Sequence, residues 1–135
     1  DTFNLGNGGH DTLLYKLLDS ADATGGNGSD TINGFTVGTW EGTANSDRLD
    51  LSELLQSGGY TGTGSASYVN GVATLDASAG NITDYLSVTT EGNNTVIKVD
   101  MDGSGSAQSM TTIATLNNVH TDLATLLANH QLIVG

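Results

Sequence analysis

The hydrophobic residues of this chain fall in short runs that alternate with turns rich in glycine, asparagine and aspartate. Such a pattern predicts a protein made mainly of short β-strands. The clearest pair of runs, Tyr85–Thr89 and Thr95–Val99, flanks the turn sequence Glu91–Asn94 and predicts a hairpin. Alternation along these strands predicts which side chains face the core and which face water: Leu86, Val88, Ile97 and Val99 inward, Thr89 and Lys98 outward.

Helical spacing is confined to two places. Apolar positions and nearby capping residues predict one short helix over about 50–57 and another over about 122–129. The run Leu13–Leu18 fits either a longer strand or one helical turn. The chain ends on the apolar segment Gln131–Gly135, which predicts either a last strand that seals the core or a tag read by other machinery. Further strands are predicted at Ser67–Val69, Val72–Leu75 and Met110–Leu116.

The stretch Gly25–Asn33, GGNGSDTIN, matches the nonapeptide pattern GGxGxDxUx, in which U is apolar, at every specified position. Glycines such as Gly26 and Gly28 let the backbone turn tightly and aim its carbonyl oxygens inward. Asp30 supplies a carboxylate, and Ile32 points into the core. Because calcium takes six to eight oxygen ligands, a neighbouring turn must complete the site. The stretch therefore predicts half of a calcium cage.

Two earlier segments repeat parts of this pattern. Asp1–Asn4 matches the second half of the nonapeptide, and Gly6–Leu13 reads as another turn with Asp11 as its carboxylate. The spacings from Asp1 to Asp11 and from Asp11 to Asp30 are 10 and 19 residues, slightly off the nine and eighteen of a strict repeat. This irregularity is typical of the end of a repeat array.

Further candidate ligands lie outside the repeats. Asp47 and Asp50 stand where a strand leaves a glycine-rich loop, which suits calcium ligands, although helix capping explains Asp50 equally well. Asp100, Asp102 and Ser104 reproduce the first half of an EF-hand loop, with oxygen donors at alternate positions followed by glycine. Thr111 stands where that loop has its bidentate glutamate, so another carboxylate would have to complete the site. An acidic turn without metal is the alternative.

Composition supports a cation as the partner. Fifteen acidic residues stand against three basic ones, giving a net charge of −12 that disfavours nucleic acid and anionic membranes as partners. The simpler explanation is an acidic, solubilising surface. The absence of cysteine excludes disulfides and thiolate sites, so bound metal is a candidate staple for the fold. No apolar run approaches the roughly 18 residues of a membrane span, and no membrane insertion is expected.

Sequence motifs for catalysis are missing. His10, His120 and His130 are scattered, with no HExxH pair for zinc. The chain has no GxSxG elbow, GxGxxG fingerprint or P-loop. We therefore expect no enzymatic activity.

Taken together, the glycine-rich turns, the segment DRLDLSELL, the loop DMDGSGSAQ and the leucine-rich helix before QLIVG resemble the C-terminal end of RTX proteins. The likeness is to very large adhesins exported by Gram-negative type I secretion systems. It implies that the adjoining turns bind calcium and that the last residues are an uncleaved signal read by an inner-membrane ABC transporter before folding. It also implies a secreted or cell-surface location. The ligands it implies are Asp11, Gly26, Gly28 and Asp30, and less directly Asp47, Asp50, Asp100 and Asp102.

The expected fold is a single domain that is mainly β and is a monomeric piece of a larger chain. Terminal RTX turns over residues 1–34, resembling a calcium-bound β-roll, continue into a β-sandwich-like cap over 35–120. A helix and the apolar signal tail follow over 121–135. Two other functions remain open: an adhesive module that grips carbohydrate or a surface through Trp40, Tyr60 and Tyr68, and an accessory domain of a secreted hydrolase.

Overall fold

The computed structural model of the protein describes residues 1–6, 8–18, 22–103 and 109–135. Within these residues the fold is mainly β, as the hydrophobic pattern predicts, and has three short helices where the pattern predicts two. The strands are β1 (Thr2–Asn4), β2 (Thr12–Leu14), β3 (Asp30–Asn33), β4 (Arg48–Asp50), β5 (Ala66–Val69), β6 (Val72–Leu75), β7 (Leu86–Glu91), β8 (Asn94–Val99), β9 (Thr111–Leu116) and β10 (Leu132–Ile133). The helices are α1 (Ser52–Ser57), α2 (Ile82–Tyr85) and α3 (Leu123–Ala128), and a 3₁₀ turn spans Ala77–Ala79.

The first four strands alternate between two sheets. β1 pairs in parallel with β3 in the first sheet, and β2 pairs in parallel with β4 in the second. Thr2 lies opposite Thr31 and Phe3 opposite Ile32, so the predicted correspondence between Asp1–Asn4 and the end of the nonapeptide is confirmed in register. Leu13 lies opposite Leu49 in the second sheet. Among these four strands, the segments that pair are therefore 29 or 36 residues apart, not the nine or eighteen of a strict repeat.

The first sheet continues in the order β1-β3-β9-β8-β7. Its parallel part ends at β9, and β9, β8 and β7 pair antiparallel. The predicted hairpin is confirmed, with Leu86 opposite Val99 and Val88 opposite Ile97. β7, β8 and β9, which fall in the expected cap, thus extend the sheet that begins with β1, whereas β5 and β6 pair as a hairpin of their own.

The second sheet has the order β10-β4-β2. The tail forms β10, with Leu132 opposite Leu49, so the prediction of a last strand is confirmed. Leu132 and Val134 are buried, whereas Ile133 is half-buried. The run after Leu13 is neither a longer strand nor a helical turn, because β2 ends at Leu14. Leu14 and Leu18 are instead exposed.

The core lies between the two sheets and the helices. Burial of a leucine or isoleucine side chain contributes about 1.5–3 kcal/mol, and this core holds many of them. Its largest fully buried apolar side chains are Ile32, Leu49, Leu51, Leu54, Leu55, Ile82, Leu86, Ile97, Ile113, Leu116 and Leu126.

Both predicted helices are present. α3 begins after Asp122, whose carboxylate accepts a hydrogen bond from the Thr125 amide at 2.8 Å, and its buried face carries Leu126 and Leu127. α1 begins after Leu51 and buries Leu54 and Leu55. The third helix, α2, is a single turn that no periodic pattern marks. None of the helices in the described residues is long and apolar enough to span a membrane.

Candidate metal sites

The alternation between sheets divides the candidate ligands into two groups. The turns over 8–11 and 34–47 lead into β2 and β4, and we call them the second-sheet turns. The turns over 22–30 and 100–103 precede β3 and β9, and we call them the first-sheet turns. Because β3 and β9 are parallel neighbours, and so are β2 and β4, the turns within each group lie side by side. Asp11 and Asp30, which the repeat pattern placed in successive turns, therefore belong to different groups.

The second-sheet turns bring Asp11 and Asp47 together. The Asp11 amide donates to Asp47 Oδ1 at 3.1 Å, and the Thr36 amide donates to Asp47 Oδ2 at 3.0 Å. Asp47 is only 1% exposed. Burial raises the pKa of its carboxyl group above the ordinary value, the two amides oppose that rise, and the adjoining Asp11 carboxyl adds to it. Two carboxyl groups, one of them buried, thus share one small region.

The rest of this group fixes the backbone around the pair. Ser46 is buried, and its carbonyl oxygen lies 2.6 Å from His10 Nδ1, which therefore acts as the donor. The Gly9 amide donates to the Asn45 side chain at 2.6 Å. These contacts repeat the 36-residue offset of Asp11 and Asp47. The two turns are therefore stacked in register.

The first-sheet turns carry a second pair, Asp100 and Asp102. The Asp102 amide donates to Asp100 Oδ1 at 3.3 Å, and Asp100 is 6% exposed. Burial, followed by the hydrogen bond and negative charge of the Asp102 carboxyl group, raises the pKa of Asp100 to about 6. Asp102 Oδ1 is buried and has no hydrogen-bond partner within the described residues. A buried, unpartnered carboxylate oxygen beside a second carboxylate fits a cation ligand.

Neighbouring elements hold this loop in place. The Asp100 amide donates to the Tyr85 carbonyl at 2.8 Å, and the Met101 amide donates to the Ala23 carbonyl at 3.1 Å. Gly103 follows with φ +63°, and a Cβ there would press on the Tyr85 ring. Glycine at position 103 is therefore required by both conformation and packing, whereas Gly105, the glycine that the EF-hand pattern predicts, lies outside the described residues. Through Ala23, the loop is joined to the turn that carries the nonapeptide.

The nonapeptide turn is organised by a residue that the motif does not include. Asp22 Oδ1 accepts hydrogen bonds from the Thr24 amide, the Thr24 hydroxyl and the Gly26 amide. These bonds, the one from Gly26 first, lower the pKa of Asp22. The Gly28 amide donates to Thr24 Oγ1 at 3.1 Å. Gly26 and Gly28 are exposed and have positive φ, as the tight turn requires.

Asp30 begins β3 and is 8% exposed. Its Oδ1 lies 2.8 Å from the backbone nitrogen of Asp1. The hydroxyl group of Tyr15 is buried nearby without a hydrogen-bond partner in the described part of the chain. Burial, followed by the charge of Asp30, raises the pKa of Tyr15. Asp30, Tyr15 and Phe3 line a cavity of about 330 Å³ between the edges of the two sheets.

The remaining predicted ligands, Asp50 and Ser104, are not placed in either pair. Asp50 Oδ1 accepts hydrogen bonds from the Ser52 amide at 3.0 Å and the Ser52 hydroxyl at 2.6 Å, which is a local turn contact. It is not the helix cap, because Leu51 is the capping residue of α1 and no side chain caps that helix. Ser104 lies outside the described residues. Asp11, Asp47, Asp100 and Asp102 are thus placed in pairs, and Asp50 is placed beside α1.

The fit to calcium is that of partial sites. No three Asp, Glu, His or Cys side chains converge within the residues that the structure describes, so each pair would need backbone carbonyls or water as further ligands. Asp100–Asp102 has the better fit because of the unpartnered oxygen of Asp102. Burial disfavours the charged form of these carboxylates. Calcium bound between either pair would neutralise their charge.

Sequence reasoning missed two residues that shape these turns. Asp22 follows no metal motif, although the spacing D-x-T before a glycine pair is typical of a side chain that bonds its own turn. Gln131, at the start of the apolar tail, is fully buried and bonds the loop that carries Asp47. Nothing in the local sequence indicates that contact, because its partners are 84 and 95 residues away.

Comparisons of this chain with protein-family models, with curated proteins and with solved structures found no significant match.

Proposed function

We propose that this chain is the calcium-binding C-terminal domain of a type I-secreted RTX adhesin, which carries the export signal and folds on calcium outside the cell. The observation that carries this proposal is the presence of two carboxylate pairs, Asp11–Asp47 and Asp100–Asp102, each with one buried member and each in turns beside the stacked strands. Strands that alternate between two sheets through such turns also agree with a β-roll-like arrangement of the first 50 residues.

The charge of the chain gives the proposal a mechanism. Without calcium, the net charge of −12 and the paired carboxylates oppose the compact state, which keeps the chain suited to threading through an exporter. Outside the cell, calcium would occupy the turns. A site at 100 times its dissociation constant stabilises the folded state by about 2.7 kcal/mol, so two sites would rival the whole stability of a small domain.

The contacts of the aromatic residues favour this reading over a carbohydrate-binding module. The Arg48 guanidinium lies 4.0 Å from the Trp40 ring centroid, and the His10 ring lies 4.4 Å away. Tyr60 is buried and donates to the Ala79 carbonyl at 2.7 Å, while the Tyr68 hydroxyl bonds Asn129. Tyr60 is therefore not available to a sugar, and the Trp40 ring is already packed by two side chains, whereas the Tyr68 ring is 48% exposed. The three rings thus do not form one open platform for a sugar.

Calcium binding is tested by isothermal titration and by thermal melting with calcium or EDTA. We expect calcium to raise the melting temperature of the wild-type chain, and Asp11→Asn and Asp30→Asn each to lose part of that rise. Asp76→Asn is the matched control, because Asp76 is exposed and follows β6, in neither turn group. A melting curve that EDTA leaves unchanged would rule out the calcium part of the proposal.

Export is tested separately with a passenger protein fused to residues 1–135 in a Gram-negative host that has a type I system. We expect the passenger in the medium, and we expect it to stay inside the cell when residues 131–135 are removed. Export that is equally efficient without the tail would locate the signal elsewhere.

A further inference from the structure

Gln131 is the only residue of the tail whose side chain reaches both the Asp47 loop and the end of α3 among the described contacts. Its Nε2 donates to the Thr36 carbonyl at 2.7 Å and to the Asp47 carbonyl at 2.8 Å. Its Oε1 accepts from the Gly38 amide at 3.0 Å and from Asn129 Nδ2 at 3.1 Å. Both donors and both lone pairs of the amide are therefore used, in a residue with no exposed surface.

The backbone of the same residue fixes the tail in the second sheet. The Gln131 amide donates to the Leu126 carbonyl at 2.8 Å, and the Leu49 amide donates to the Gln131 carbonyl at 2.9 Å. Two residues further on, the Leu51 amide donates to the Ile133 carbonyl at 2.8 Å. The backbone bonds that hold the tail and the side-chain bonds to the Asp47 loop are made by the same residue, Gln131. The tail therefore cannot leave the sheet without breaking the side-chain bonds as well.

Asp47 contacts Gln131 through its backbone and Asp11 through its carboxylate. Its carbonyl accepts from Gln131, and its carboxylate accepts from Asp11 and Thr36. Thr36 is bonded to both residues, because its carbonyl accepts hydrogen bonds from Gln131 Nε2 and from the Asp47 amide. The position of the Asp47 backbone therefore determines both the placement of its carboxylate beside Asp11 and its hydrogen bond to the tail.

We infer that Gln131 couples cation binding at Asp11–Asp47 to the docking of the C-terminal strand, so that each stabilises the other. The inference rests on the proposed function for the cation and adds a regulatory consequence. The tail is available to other machinery while the pair is empty and the loop is loose, and it is withdrawn into the sheet once calcium fixes Asp47. Such coupling is reciprocal, so a docked tail must also raise the affinity of this pair for calcium.

The test uses hydrogen exchange of the Leu49 and Leu51 amides, which donate to tail carbonyls, in the full chain with calcium or EDTA. We expect calcium to slow their exchange by about tenfold or more, within the usual range of coupling between sites. In Gln131→Met, which keeps the length of the side chain but not its amide, we expect that effect to fall to about threefold or less. Gln56→Met is the matched control because Gln56 is exposed on α1.

A second variant keeps the test decisive if Gln131→Met does not fold. Asp11→Asn removes one charge of the pair without touching Gln131, and it should abolish the calcium effect at Leu49 and Leu51 while leaving the calcium effect at the Asp102 amide. The inference is overturned if calcium binds, as judged by titration, yet leaves tail exchange unchanged in the wild type, or if Gln131→Met retains the full effect. If titration shows no calcium binding at all, the proposed function fails along with it.

Discussion

At the scale of single residues, the important feature is a carboxylate that folding removes from water beside a second carboxylate. Asp47 and Asp100 are both in this position, and burial raises the pKa of each. The sequence motifs identified these aspartates as candidates because turn position and spacing are local properties. They did not predict which aspartates would meet, since Asp11 and Asp47 are 36 residues apart. That pairing depends on how loops of unequal length stack.

The raised pKa of Asp100 predicts a pH dependence of stability in the absence of calcium. With a folded pKa of about 6 and an unfolded value near 3.9, the folded state keeps a proton that the unfolded state has released between about pH 4 and 6. The contribution of this group to stability therefore falls as pH rises through that interval, and the loss is complete above it. Melting in EDTA should show Asp100→Asn gaining stability relative to wild type between pH 4 and 7. A difference that stays constant with pH would contradict the prediction.

Asp102 offers a prediction whose sign changes with calcium. In EDTA, Asp102→Asn should stabilise the fold by about 0.5–2 kcal/mol, because it removes one of two like charges in a poorly solvated loop. With calcium at 100 times the dissociation constant, the same variant should lose up to about 2.7 kcal/mol of ligand stabilisation. Denaturant unfolding under both conditions measures the two effects. Destabilisation of similar size in EDTA and in calcium would show that Asp102 has only a structural role.

At the scale of elements, local patterns predicted the β7–β8 hairpin, α1, α3 and the last strand. Each depends on alternation, helical spacing or a capping residue within a few positions. The same patterns did not predict that β7 to β9 would join the sheet of β1 and β3, because parallel pairing depends on contacts distant in sequence. They also missed α2, which is too short to show a period.

The packing of α1 against the Asp100 loop gives a prediction at this scale. Gly58 ends α1 with φ −87°, a conformation open to alanine, but a Cβ there would overlap the carbonyl oxygen of Met101. Gly58→Ala should therefore shift the loop, cost about 1–3 kcal/mol in stability and reduce the calcium-dependent rise in melting temperature. Gly6→Ala is the control, because a Cβ at Gly6 meets nothing within 4 Å. Equal melting behaviour of the two variants would show that the contact is easily accommodated.

At the scale of the whole molecule, the tail has two proposed tasks that place different demands on its residues. As β10 it is a packed strand, in which Leu132 is buried and Ile133 is half-buried. As an export signal it would be read before folding, when neither side chain is buried. The sequence allowed both interpretations, because a buried strand and a recognition tag can both consist of apolar residues. The two tasks can be tested separately because the fold buries Leu132 more than its neighbour Ile133.

This difference yields the last prediction. Leu132→Ala should destabilise the folded domain by about 2–4 kcal/mol, since it leaves a cavity between β10 and the core, whereas Ile133→Ala should cost about 1 kcal/mol or less. Denaturant unfolding in calcium measures both. In the export assay the two variants should behave alike, because an unfolded signal presents both side chains equally. If loss of export followed loss of stability, with Leu132→Ala impaired and Ile133→Ala normal, the exporter would be responding to the folded strand, and the proposal that the tail is read before folding would have to be abandoned.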